Sequence, residues 1–180
     1  SMFIVNLQRK ISKSSKLLLQ KFNDRWLMNQ KNLNLDELSI ISMAFFKTET
    51  YMTEYGFSMM LGLFEDALKQ NHSHSLTEAN TISLASILKN LRYIATEMSY
   101  AIVKYSSSVL SIVRIIFKHP SNYTSSNIIL THLIHLMNAS ELHQETQIFK
   151  MILNRLSSGI ENFRIKDIQN ILYVLANISF

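Results

Sequence analysis

Apolar residues recur along this chain at intervals of three and four, with polar residues between them, and that period predicts helix over most of its length. Three segments can be laid over one another: LDELSIISMAFFK (Leu35–Lys47), LTEANTISLASIL (Leu76–Leu88) and IKDIQNILYVLAN (Ile165–Asn177). Each opens on leucine or isoleucine, passes through polar residues that include an acid, and then sets apolar residues at helical offsets. The stripes are Leu38, Ile41, Ala44 and Phe45 in the first, Ala79, Ile82, Ala85 and Ile87 in the second, and Ile168, Ile171, Val174 and Leu175 in the third. SNIILTHLIHLM (Ser126–Met137) follows the scheme more loosely. The four starts, near residues 35, 76, 125 and 165, are spaced much as two-helix HEAT-like repeats are.

Second helices are expected between these segments, over Thr53–Gln70, Tyr93–Lys118 and Glu141–Asn162, and residues 3–30 read as the second helix of a preceding repeat. Polar loops at Gln30-Lys31-Asn32, Asn71–His74 and His119–Asn122, the last with Pro120 just past a helix end, separate them. The expected fold class is all-α: stacked helical hairpins forming an α-solenoid, a HEAT-like right-handed superhelix of about four repeats and about eight helices. A closed helix bundle satisfies the same periodicity and is the alternative.

Composition narrows this further. Three glycines and one proline could hardly supply the turns of a β-sandwich or a dinucleotide-binding sheet. With no cysteine, thiol redox chemistry, cysteine nucleophiles and zinc ribbons are excluded, and 180 residues are enough to bury a core without a staple. No apolar run reaches the roughly 20 residues that cross a bilayer, so membrane insertion is not expected. Asn-x-Ser/Thr triplets begin at Asn71, Asn122, Asn138 and Asn177, as chance supplies in a chain rich in Asn and Ser. The leading Ser1-Met2 reads as an expression scar, making residues 1–180 a single helical-repeat domain taken from a longer chain.

The formal charge of +5 is unevenly spread. Residues 1–31 hold seven bases against Asp24, residues 32–88 hold two bases against seven acids, and residues 89–118 hold five bases against Glu97. On a helical wheel Arg9, Lys10, Lys13, Lys16 and Lys21 share one arc, with Ile4, Ile11, Leu18 and Phe22 opposite. A basic ridge of this kind neutralises phosphates and releases counterions, though a solvated face has the same pattern. Arg92-Tyr93 and Lys104-Tyr105 pair a cation with an aromatic, the combination that grips single-stranded RNA by phosphate contact and base stacking. The bland reading of the same pairs is tyrosines packed with their hydroxyls outward.

Little points to catalysis or a cofactor. His132 and His135 stand at i and i+3, a spacing open to a metal, with His143 the nearest further imidazole; a pair of polar, partly buried histidines is the ordinary reading. His72 and His74 read as turn residues. The adjacent acids Asp36-Glu37 and Glu65-Asp66 diverge by about 100° on a helix and read as solvated charges, with Asp36 placed to meet free amides at its helix start. No nucleophile with its base, acid pair or phosphate-cradling glycine loop is present, so the sequence predicts neither an enzyme nor a bound cofactor, metal or small-molecule substrate.

The stretch LNLDELSIISMAFFKTETYMTEYGFSMMLGLFEDAL (residues 33–68), with its acidic-leucine opening Leu35-Asp36-Glu37-Leu38 and the Phe45-Phe46-Lys47 that follows, resembles the leucine-rich helical region of the FAST kinase-domain-containing (FASTK) family. The closing IQNILYVLANISF (residues 168–180) is similar to later repeats of that family. The resemblance implies a mitochondrial matrix protein that acts in processing, stability or translation of mitochondrial transcripts, with single-stranded RNA as partner. The family's C-terminal RAP module has no counterpart here, so no catalytic residue carries over. Under this reading Arg9, Lys10, Lys13, Lys16, Arg92 and Lys104 contact phosphates while Tyr93 and Tyr105 stack on bases. The competing expectation is an intracellular HEAT or armadillo-like scaffold that binds other proteins and no nucleic acid.

Overall fold

The computed structural model describes residues 13–47, 53–70, 78–97, 102–118, 126–142 and 145–176, and among them every regular element is helical. The α-helices are α1 (Lys13–Met28), α2 (Leu35–Lys47), α3 (Glu54–Gln70), α4 (Glu78–Glu97), α5 (Ser106–Lys118), α6 (Asn127–Ala139), α7 (Thr146–Ser157) and α8 (Ile165–Ala176). Single 3-10 turns at Val103–Tyr105 and Ile160–Asn162 lead into α5 and α8. The sequence expected a second helix starting at Tyr93; instead α4 runs on through Tyr93 to Glu97, and its partner helix begins only at Ser106.

Local chemistry explains the ends. Asn34 caps α2 in a reciprocal pair: its side-chain oxygen accepts from the Glu37 amide at 2.9 Å, and the Glu37 carboxylate accepts from the Asn34 amide at 3.0 Å. Asp36, which the sequence placed in that capping role, instead accepts a hydrogen bond from Ser83 of α4 at 2.6 Å. Asn32 turns the chain after α1 at φ 58°, a left-handed conformation that asparagine tolerates better than most residues.

Helices two apart in the chain pack side by side. α2 lies against α4, α4 against α6 and α6 against α8; α1 lies against α3 and α3 against α5. α2–α3 and α5–α6 contacts join the two rows, and α7 packs on α6. One contiguous apolar cluster takes members from all eight α-helices, from Leu27 to Val174, with Phe57, Phe64 and Phe149 its largest fully buried side chains. α5 shows why a helix falls in place: Val109, Ile112, Val113 and Ile116 make one buried stripe and leave its serines and bases on the other face.

The first row keeps a constant register. Ser83 bonds to Asp36 and Asn90 to Ser42, residues 47 and 48 apart, and Tyr93 packs on Phe46 with ring centroids 5.0 Å apart. α2 and α4 therefore run parallel. The buried stripe of α4 follows from this register and comprises Leu84, Ile87, Leu88, Leu91 and Ile94. The sequence overlay had chosen Ala79, Ile82, Ala85 and Ile87, of which Ala79 and Ile82 are exposed. The overlay slid α4 by nearly two turns, because both frames present apolar residues at helical spacing. In α1 the expected apolar side also turns outward: Leu18 and Phe22 are exposed, whereas Asn23 and Leu27 are buried.

Phe64 belongs to this cluster and has no exposed surface. Phe64→Ala is expected to lower unfolding free energy by about 3–5 kcal/mol through lost burial and the cavity left behind. Urea denaturation followed by circular dichroism measures it, and a loss near zero would contradict the packing described.

Candidate nucleic-acid interface

A recess lined mainly by polar residues lies in the second row, between the end of α3 and the outer face of α5. It is a surface pocket of about 380 Å³ lined by Lys69, Ser107, Ser111, Arg114, Ile115 and Lys118. On α5 the lining residues fall at i, i+4, i+7, i+8 and i+11, the stripe opposite the buried one. Three cationic side chains and two hydroxyls thus converge from two helices.

Two carboxylates hold this lining in place. Glu65 accepts from Lys69 at 2.8 Å and from the Ser111 hydroxyl at 2.9 Å, and the Lys69 bond is the largest of the influences that keep its carboxyl below the usual range. Lys69 is correspondingly raised, by the same bond. Glu65 is thus a structural bridge from α3 to α5, not the merely solvated charge the sequence suggested. Arg114 reaches Glu145, the residue before α7, at 3.4 Å. Lys118 has no carboxylate partner among the described residues.

The residues singled out from sequence are distributed differently. Arg9 and Lys10 lie outside the described residues; Lys13 and Lys16 stand on the first turns of α1, with their side chains outside the described set. Lys104 is engaged: its ammonium sits 2.7 Å from Glu54, which also accepts from the Tyr105 hydroxyl at 3.3 Å. The Lys104 bond holds the Glu54 carboxyl below its ordinary value. Tyr105 is half-buried and packs on Phe57 at 6.1 Å, so its ring is not a free stacking platform. Arg92 and Tyr93 belong to α4, in the other row. The guanidinium lies 5.3 Å from the Tyr93 ring centre and that ring rests on Phe46, leaving the pair partly open to solvent. The two cation–aromatic pairs therefore do not form one site.

His132 and His135 face α4 from α6. Burial pushes both imidazoles down to about 4, with the Arg92 charge adding to it; His135 and Lys89 act on His132 in the same sense, and Asp167 opposes them. Nδ1 of His132 and Nε2 of His135 are enclosed without hydrogen-bond partners. Among the described residues no group of three or more metal-ligating side chains assembles, and His72, His74 and His143 lie outside them. Nor is any described helix long and apolar enough to cross a membrane.

A second recess, about 320 Å³ and mainly apolar, lies between α1 and α2; Phe22, Trp26, Leu33, Ile40, Ile41 and Ala44 are among its lining residues. The buried amide nitrogen of Asn23 in its wall has no hydrogen-bond partner.

Sequence reasoning missed Lys69, Arg114 and Lys118. The available signal was the stripe Ser107-Ser111-Arg114-Lys118 on one α5 face; only the fold brings Lys69 beside it. In comparisons with known proteins, no family model, no curated protein and no solved structure matches the chain.

The two imidazoles set an acid limit on stability. Their folded-state values near 4 lie below the ordinary 6.5, so the unfolded chain binds protons first as pH falls. Their contribution is complete above about pH 6.5 and is lost progressively towards pH 4, whereas the depressed carboxylates of Glu54 and Glu65 act only below about their ordinary 4.5. A His132→Gln/His135→Gln variant should therefore lose less Tm than wild type between pH 7 and pH 5, and parallel Tm profiles would refute the assignment.

Proposed function

We propose that the chain is an RNA-binding module built of stacked helical hairpins, a HEAT-like α-solenoid of about four repeats whose second row of helices carries the nucleic-acid contacts. The observation that carries this reading is the convergence of Lys69, Arg114 and Lys118 with the Ser107 and Ser111 hydroxyls on one pocket. Ammonium, guanidinium and hydroxyl donors together suit phosphate oxygens, which accept from all three. Lys21 and Arg25 of α1 are exposed in the same row, and Arg92 with Tyr93 offers a separate stacking contact on the first. The sequence resemblance supplies the RNA class, mitochondrial transcripts, and with it a place in their processing, stability or translation in the matrix. The module acts by holding RNA and has no catalytic step of its own.

A protein-interaction scaffold is the second reading, favoured by the apolar recess between α1 and α2.

Fluorescence anisotropy with a labelled single-stranded RNA, repeated across a salt series, tests the first reading. The triple variant Lys69→Gln/Arg114→Gln/Lys118→Gln should weaken binding about tenfold or more and lower the log–log salt slope by less than about 2, the value for three unpaired cations on a single strand, because Lys69 and Arg114 already pair with Glu65 and Glu145. Lys166→Gln on α8 serves as a control and should change little. Equal affinity and slope in wild type and triple variant would overturn the site, and no binding by wild type at low salt would favour the scaffold.

A further inference from the structure

Ser111 stands where the polar recess on α5 meets its carboxylate bridge to α3. Its hydroxyl donates to Glu65 Oε1 at 2.9 Å, and the Lys69 ammonium reaches the same oxygen at 2.8 Å. These bonds hold Glu65 in its charged form, Lys69 foremost, and a carboxylate only accepts. The Ser111 proton is therefore committed to α3, and what this half-buried hydroxyl turns toward the recess it lines is its lone pairs. An acceptor among three cations is out of keeping with a pocket that meets phosphates alone, because phosphate oxygens have no proton to give it. The Glu65 side chain, itself 23% exposed, repels them as well.

A ribonucleotide resolves this conflict. Its 2′-hydroxyl is a donor, stands on the carbon next to the one that bears the 3′-phosphate, and is missing from DNA. Ser111 and Arg114 are three residues apart on α5, so their side chains are neighbours on one face, a placement that suits a sugar and its own phosphate. Ile115, between Arg114 and the Lys118 end of the recess, offers apolar surface to the sugar carbons. We propose, building on the RNA reading of this pocket, that Ser111 accepts from a ribose 2′-hydroxyl while Arg114 and Lys118 hold the adjoining phosphate. Ser111 is then the residue that selects RNA over DNA, and Glu65 is a positioning residue that fixes Ser111 as an acceptor. Ser107, one turn earlier on the same stripe, is left to supply the hydroxyl donor to a phosphate.

Fluorescence anisotropy with three labelled single strands of one sequence tests it: RNA, DNA, and RNA whose 2′-hydroxyls are replaced by fluorine, which keeps the ribose pucker and removes the donor. Wild type should bind RNA about fivefold or more tighter than either of the other two, within the range that one hydrogen bond supplies. Ser111→Ala should bring RNA to the level of the other strands. Glu65→Gln keeps a bonded bridge, but its amide donates to Ser111 and hands the serine proton back to the recess. In that variant DNA should bind more tightly than to wild type and the RNA preference should fall to about twofold or less, which loss of a merely structural bridge would not produce. Fluoro-RNA bound as tightly as RNA by wild type overturns the assignment in favour of pucker, and an RNA preference that survives both substitutions overturns it too. Equal binding of all three strands by wild type overturns ribose selection and leaves the phosphate site standing, whereas no binding of any strand overturns both.

Discussion

A hydrogen bond inside the apolar seam between α2 and α4 governs the register on which the rest of the architecture depends. Asn90, 3% exposed, donates to the Ser42 hydroxyl at 2.9 Å, and that hydroxyl in turn donates to the Ser39 carbonyl at 3.0 Å. Apolar contact alone would tolerate α4 sliding along α2, since leucines and isoleucines at helical spacing fit in more than one frame. Leaving a buried amide or hydroxyl unpaired costs about 1–3 kcal/mol, so a slide loses what the apolar residues would not penalise. Asp36–Ser83 at one end and Phe46–Tyr93 at the other agree with the same frame.

That bond also explains what the sequence revealed and what it concealed. The helices themselves were legible: α2, α3, α6 and α8 fall where periodicity put them, and the loop at Gln30-Lys31-Asn32 is where polar residues and a left-handed asparagine end α1. Frame was not legible. Ile82 was assigned to the core by analogy with Ile41, yet it is 64% exposed, because the overlay compared hydrophobicity and the fold compares heights along neighbouring helices. The boundary between α4 and α5 was misplaced for a related reason, since residues 93–118 remain helix-compatible throughout and no glycine or proline marks the break.

The candidate site was less visible still. Arg92-Tyr93 and Lys104-Tyr105 drew attention as adjacent pairs, but adjacency in sequence separates side chains by about 100° on a helix. What the fold gathers is Lys69 with Arg114 and Lys118, residues from two helices that no local pattern links. Glu54 illustrates the converse: an acid at the start of α3 holds Lys104 ahead of α5, where it does not line the pocket.

The pocket's position carries a further consequence. Glu54 meets Lys104 near the starts of α3 and α5, and Glu65 meets Ser111 further along, so those two helices run parallel. Their carboxyl ends, with Lys69 and Lys118 in the last turns, therefore lie side by side. Each such end concentrates roughly half a unit of negative charge on backbone carbonyls that have no amide partner within the helix. The cations there already compensate two aligned dipoles as well as Glu65 and Glu145. Long-range attraction towards an approaching polyanion is correspondingly muted at this spot, and grip must come from short-range geometry, in which hydroxyl and guanidinium hydrogen bonds count for more than net charge.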